Sequence, residues 1–217
     1  MPLSAAIVWE LRATASANNV NGGGFKAGAS GTDYSQQDAA QLNPTDLACA
    51  DTSTTLTSAA GGFTAAMVGN VIHITAGTNF VVGWYEITAY TNANTVTIDR
   101  TAASAGLNAS AGTGYVGGAM SLNSALDSDF FSAVVPGNTI WMKNGSFTMG
   151  ESFTGGNNGT AANPIFLKGY NATRGDDPTG TNRPTLTEGA LSFWLGQYWQ
   201  ARNIIFKIGR ASCRERV

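Results

Sequence analysis

The chain has 217 residues, only 12% of which are charged, and a formal net charge of −2. This weak, slightly acidic charge argues against a nucleic-acid groove, which needs clustered lysine and arginine, and no apolar run approaches the ~20 residues of a membrane span. The composition argues against disorder as well, because 43% of the residues are hydrophobic and ten Phe, six Tyr and five Trp are present.

Residues 1–62 predict an N-terminal strand followed by a cap and loop region. The strand is the apolar stretch AAIVWELR at 5–12, and a turn rich in Gly and Asn follows at 18–24. The start of the chain lacks the basic and long apolar segments of a secretory signal peptide. We therefore expect a route out of the cell that needs no signal peptide, such as release by lysis.

Residues 63–118 predict a small antiparallel β module. Three β-branched or aromatic runs, at 71–75, 84–88 and 95–99, are separated by turns of Gly and Asn, the pattern of short strands joined by tight connections. His73 alternates with apolar neighbours in the first run. We expect it to be a solvent-facing strand residue and not a metal ligand, because a lone histidine cannot supply the three or four ligands of a zinc site.

A short capping helix is predicted at 121–134, at the start of a third region, 119–207. Apolar residues recur there every four positions, as on the apolar face of a helix: Leu122, Leu126, Phe130 and Val134. Such a helix could lie over the open end of a β stack and cover its edge groups.

The rest of this region predicts the first coils of a β-solenoid. Strand-like runs are centred on positions 141, 166, 186 and 205, so they recur every ~20–25 residues, an interval typical of solenoid repeats. Strands that return at such intervals without intervening helices indicate coils that stack to bury their inner faces.

The last ten residues, 208–217, differ from the rest of the chain. Their sequence, IGRASCRERV, is abruptly basic and resembles the translation of a sequencing adapter. We interpret it as a non-native tail on a truncated gene, which carries no information about the fold; the alternative is a genuine basic tail that binds anions. Without Cys213, Cys49 is the only cysteine, so no disulfide framework is expected.

Two segments resemble known proteins. Residues 136–170 carry PGNTI, GSF, GTAANPI and KGY in that order, and they resemble the opening coil of right-handed parallel β-helix proteins of the pectate-lyase-like superfamily. Asn138 stands where that pattern has Asp, and Phe147 where it has Tyr. Residues 63–106 resemble a β-rich module that phage and metagenomic virion proteins carry near the start of a β-helix.

The resemblance implies an all-β fold: the truncated start of a right-handed parallel β-helix, with a small antiparallel β module inserted near the N-terminus and a short capping helix. It also implies a structural role, as the N-terminal fragment of a phage tail-spike, fibre or other surface β-helix protein. Such a protein would be virion-borne or extracellular, often homotrimeric, and would recognise a host glycan in its full-length form.

Two alternatives remain open at this point. One is a truncated secreted polysaccharide lyase or glycosidase that lacks its catalytic coils, in which case the full-length protein would be an enzyme. The other is a carbohydrate-binding module. The superfamily fold does not decide among them, because it carries many functions.

The sequence predicts no catalytic, cofactor-binding or metal site. Candidate glycan contacts are Trp194, Tyr198 and Trp199, because exposed aromatic rings stack on sugars through their apolar faces; the alternative is that these rings fill the interior. The acidic pair Asp176 and Asp177 could bind Ca²⁺, but Gly175 and Pro178 beside it favour a turn between coils.

Overall fold

The computed structural model describes residues 3–13, 17–18, 24–26, 42–121, 131–148, 153–154, 157–187, 193–194 and 196–207. Within these residues the protein is mainly β, which confirms the all-β prediction. Two 3-10 turns, at Ala65–Met67 and Gly180–Asn182, and a helical turn at 131–133 connect strands.

The strands fall into a barrel and a set of sheets. The barrel strands are β4 (Leu47–Cys49), β5 (Thr55–Ser58), β6 (Val71–Thr78), β7 (Gly83–Asn92), β8 (Thr95–Ile98) and β9 (Ala109–Val116). The sheet strands are β1 (Ile7–Leu11), β2 (Ala17–Asn18), β3 (Gly24–Lys26), β10 (Met120–Ser121), β11 (Thr139–Lys143), β12 (Ser146–Thr148), β13 (Phe153–Thr154), β14 (Ile165–Tyr170), β15 (Thr185–Thr187), β16 (Phe193–Trp194), β17 (Trp199–Arg202) and β18 (Ile205–Lys207).

The barrel is antiparallel and closed, with its strands in the order β4-β5-β8-β7-β6-β9. Alternating side chains point inward, and Leu56, Ile72 and Ile87 are completely buried in its core, each contributing about 1.5–3 kcal/mol. The barrel starts before the predicted module at 63–118, because β4 and β5 also belong to it. These two strands are short and rich in Thr and Ala, so they lack the long apolar alternation that identifies β6 and β7.

The barrel is inserted between strands of a seven-stranded sheet. The chain leaves this sheet after β3, which pairs with β1, and returns to it with β10, which pairs with β1 and β2. On the barrel surface, Val71 packs into the core of the sheets, and Glu86 accepts a 3.1 Å hydrogen bond from the backbone N–H of Ser4. These contacts attach the barrel to the sheets.

Strands β11 to β18, together with β1, form three ladders of parallel pairs. One ladder runs β1-β11-β14-β17, the second β12-β15-β18, and the third β13-β16. In chain order the ladders are visited as β11-β12-β13, then β14-β15-β16, then β17-β18. Each pass of the chain therefore repeats the order of the pass before it.

The predicted spacing of the coils was wrong. The strand around position 186 does not stack on the strand around 166: Leu186 pairs with Phe147, and Phe166 pairs with Thr139. The predicted interval from 166 to 186 joins strands of two different ladders, because each pass of the chain contains more than one strand. Equivalent positions in the first ladder, such as Trp141 and Lys168, are separated by one full pass of the chain.

The interior between the ladders is apolar. Ile140 and Leu167 of the first ladder face Phe147 and Leu186 of the second, and all four are buried in one cluster with Trp9. This burial across ladders is what gives the short strands stability, because isolated short strands are only marginally stable in water.

The predicted helix falls mostly on residues 122–130, outside the described residues. Its last part, 131–133, is helical, and Phe131 is fully buried beside Val134 and Val135 in the cluster of the sheets. The segment 208–217 and the side chain of Trp194 also lie outside the described residues.

The KGY motif has a packing explanation. A Cβ at Gly169 would lie 2.0 Å from the carbonyl oxygen of Asn203, so only glycine allows the next pass of the chain to approach. Tyr170 is buried, and its hydroxyl donates a hydrogen bond to the Glu10 carboxylate on β1.

Candidate functional site

Of the three predicted glycan contacts, Tyr198 and Trp199 do not share one surface. Tyr198 is 54% exposed and occupies a turn with a positive φ of 58°. Trp199 begins β17 and points inward, as the alternating burial of that strand indicates. Trp194 lies on β16, whose backbone pairs with β13. The structure therefore separates Tyr198 from Trp199.

Trp199 is a packing residue. Its indole Nε1 donates a 2.8 Å hydrogen bond to the carbonyl oxygen of Asn157, and its ring lies 6.1 Å from that of Phe131. The ring also packs against the buried cluster of the sheets. These contacts favour the alternative in which this aromatic side chain fills the interior.

Trp199→Ala should lower the free energy of unfolding by about 2 kcal/mol, because a half-buried ring and one hydrogen bond are lost. Tyr198→Ala is the matched control, since its ring is exposed, and should change stability by no more than about 0.5 kcal/mol. Urea unfolding followed by tryptophan fluorescence measures both. Equal stability of the two variants would contradict the packing role.

A cleft of about 450 Å³ lies between the barrel and the sheets. Its barrel side carries His73 and Trp84, whose rings stack at 3.7 Å with 7° between their planes. His73 is half-buried, which corrects the expectation of a solvent-facing residue. Alternation along one strand cannot reveal that its outer face is covered by another sheet.

The charged group at this cleft is already paired. The Arg100 guanidinium donates to the Asp99 carboxylate at 2.5 Å and to the carbonyl oxygen of Trp84 at 2.7 Å, and it lies 4.2 Å from the centroid of the Tyr85 ring. Burial raises the pKa of the Tyr85 phenol, so it stays protonated and donates to the carbonyl oxygen of Val81 at 2.6 Å. The cleft thus lies where the barrel meets the sheets, and its arginine is engaged by groups of the barrel itself.

The outer face of the first parallel ladder carries a second set of side chains. Trp141, Lys168 and Arg202 are register partners on β11, β14 and β17, and they line a cavity of about 170 Å³ together with Asp177 and Asn203. The Lys168 ammonium lies 5.4 Å from the centroid of the Trp141 ring. This row is not apparent from the sequence, although each strand shows the alternation that points these residues outward.

The ring of Phe166, on β14 two residues before Lys168, lies close to both cations. The Lys168 ammonium lies 4.4 Å from the centroid of that ring, and the Arg202 guanidinium lies 5.8 Å from it. Partial burial, and then the positive charge of Arg202, lower the pKa of Lys168. The cations are held on aromatic rings by cation–π attraction.

The acidic pair forms a turn, as the sequence predicts. The Asp176 carboxylate accepts hydrogen bonds from the backbone N–H groups of Asn171, Ala172 and Thr173 at 3.0, 2.8 and 3.1 Å. These bonds, led by that from Asn171, lower the pKa of Asp176. Across the described residues, no group of three or more His, Cys, Asp or Glu side chains could hold a metal ion.

No protein-family model matches the chain, and no curated protein or solved structure matches it significantly. Within the described part of the chain, none of the helical segments has the length and apolar character to cross a bilayer.

Proposed function

We propose that this chain is the start of a right-handed parallel β-helix protein of the tail-spike or fibre type, displayed on a virion or outside the cell as a homotrimer. Its role is structural, and it serves the recognition of a host-surface glycan by the full-length protein, to which its own surface contributes. The single observation that carries the proposal is the repeated, in-register visit of the chain to the same parallel ladders.

The repeated ladders support a β-helix. Parallel strands that are joined without helices bury their inner faces against one another when the chain coils and each coil stacks on the next. A right-handed sense is the expected one for parallel crossovers.

For this chain itself, a structural role is favoured over catalysis by the contacts of three carboxylates. Glu10 is paired with Arg12 and Arg174, and Asp99 is paired with Arg100. Asp176 is engaged with backbone N–H groups. These carboxylates are thus committed to holding the fold, whereas a glycosidase needs two that face a substrate.

The proposal is tested by measuring binding of the full chain to a panel of neutral and acidic bacterial surface polysaccharides. We expect binding to at least one of them, without release of reducing ends or unsaturated products. Binding with product release would place catalysis in this chain itself and would contradict the structural role. A folded chain that binds no polysaccharide of a broad panel would contradict the proposed glycan recognition.

A further inference from the structure

Among the described residues, Lys168 and Arg202 are two neighbouring cations without an acidic partner. They are register partners on adjacent strands, and no carboxylate in the described part of the chain makes an ion pair with either. Arg202 donates instead to the amide oxygen of Gln200 at 3.1 Å. Asp177, which lines the same cavity, accepts from the Asn203 amide at 2.9 Å.

This arrangement differs from that of two other cations on the sheet. Arg12 and Arg174 both contact the Glu10 carboxylate, so each of them has an acidic partner within the fold. Lys168 and Arg202 lie side by side on the sheet, and the described carboxylates form no ion pair with them. Like charges at adjacent strand positions repel. A bound anion would remove that repulsion.

The cavity beside these cations fits part of a sugar chain. Its volume of about 170 Å³ is below that of pockets for drug-sized ligands, so it suits a single ring or acidic group. The Trp141 ring on its wall can pack against the apolar face of a sugar. The cavity is open beside Gly175, since a Cβ there would meet nothing within 4 Å.

We propose that this outer face binds an acidic polysaccharide, with Lys168 and Arg202 contacting one carboxylate, sulfate or phosphate group and Trp141 lying against the adjoining sugar ring. The inference deepens the function proposed above and rests on it. A short row of two cations in a chain of net charge −2 favours a single acidic group on a glycan over the continuous phosphate backbone of a nucleic acid.

The test compares acidic members of the polysaccharide panel with their carboxyl-reduced, desulfated or dephosphorylated forms, using the full chain and calorimetry. Lys168→Gln and Arg202→Gln should each weaken binding of the acidic form about tenfold, the loss expected for one charge-assisted contact. Lys207→Gln is the matched control, because Lys207 is an exposed cation on β18 of another ladder, and it should leave the Kd unchanged. Binding should also weaken as salt is raised.

Three results would overturn the inference. Equal binding of the acidic and neutralised forms would show that the anionic group is not recognised, while leaving the proposed glycan recognition intact. Equal loss of binding in Lys207→Gln and Lys168→Gln would show a diffuse charge effect. Binding of a single-stranded oligonucleotide with the same affinity and the same dependence on Lys168 and Arg202 would assign the face to polyanions in general. A chain that binds no panel member contradicts the proposed function itself.

Discussion

Glu10→Ala should destabilise the protein by about 3–5 kcal/mol, the cost of removing one partner from a buried ion pair. Glu10 lies on the outer side of β1 but is 0% exposed, because the segment after β14 covers it. Its carboxylate accepts from the Arg174 Nε at 2.9 Å, from the Arg12 Nε at 3.2 Å, and from the hydroxyl of Tyr170. Without it, both arginines and the phenol lose an acceptor.

The same network fixes the protonation of Tyr170. Burial, and then the negative charge of Glu10, raise the pKa of the Tyr170 phenol, so the phenol remains a hydrogen-bond donor throughout the neutral range. A group with a raised pKa loses its contribution to stability as the pH rises. The wild-type protein should therefore lose this contribution only in strongly alkaline solution.

A double-mutant cycle of Glu10→Ala and Arg174→Ala measures the coupling between the two residues. Because Glu10 and Arg174 contact each other directly, either single change removes the same interaction. We therefore expect the double variant to be more stable than the sum of the two losses predicts, by about 1–3 kcal/mol. Chemical denaturation of the four proteins gives this value. Arg183→Ala is the control, since the Arg183 side chain donates to the carbonyl oxygen of Gly180 in an exposed turn. Additive losses from Glu10 and Arg174 would contradict the network.

The part of the fold that depends on local pattern could be predicted from sequence. The alternation at 71–75 and 84–88 identifies β6 and β7, because each strand alone shows which residues face a core. The closure of the barrel by β4 and β5 is different: it depends on pairing with β8 and β9, far along the chain, and leaves no local signal in short strands.

The candidate site could not be predicted, because it depends on register. Trp141, Lys168 and Arg202 come from three successive passes of the chain, and they become neighbours only through the pairing of β14 with β11 and with β17. A shift of one residue in either pairing would send a side chain to the opposite face of the sheet. The aromatic cluster at 193–199 is visible in the sequence, but Trp199 points inward because Asn157 and Phe131 lie beneath it.

Asn138→Asp should destabilise the protein by about 3 kcal/mol or more at neutral pH, the cost of an unpaired buried charge. Asn138 is completely buried. Its side-chain oxygen accepts from the Trp9 indole at 3.0 Å and from the backbone N–H of Val135 at 3.1 Å, while its Nδ2 donates to the carbonyl oxygen of Ser4 at 2.9 Å. A carboxylate would set an oxygen against the Ser4 carbonyl. The resembling β-helix pattern has Asp at this position, whereas these contacts require an amide.

The pH dependence separates loss of the donor from a general packing defect. Desolvation would raise the pKa of the introduced aspartate, and its protonated form could donate to the Ser4 carbonyl as the amide does. The destabilisation should therefore be small at low pH and should grow as the pH rises through the raised pKa. Asn138→Ala, which cannot donate at any pH, should lack this dependence.

Asn182→Asp is the exposed control, expected to change stability by about 0.5 kcal/mol or less. Thermal melting from pH 4 to 8 measures all three, and a pH-independent loss in Asn138→Asp would rule out the donor role because protonation would then restore nothing.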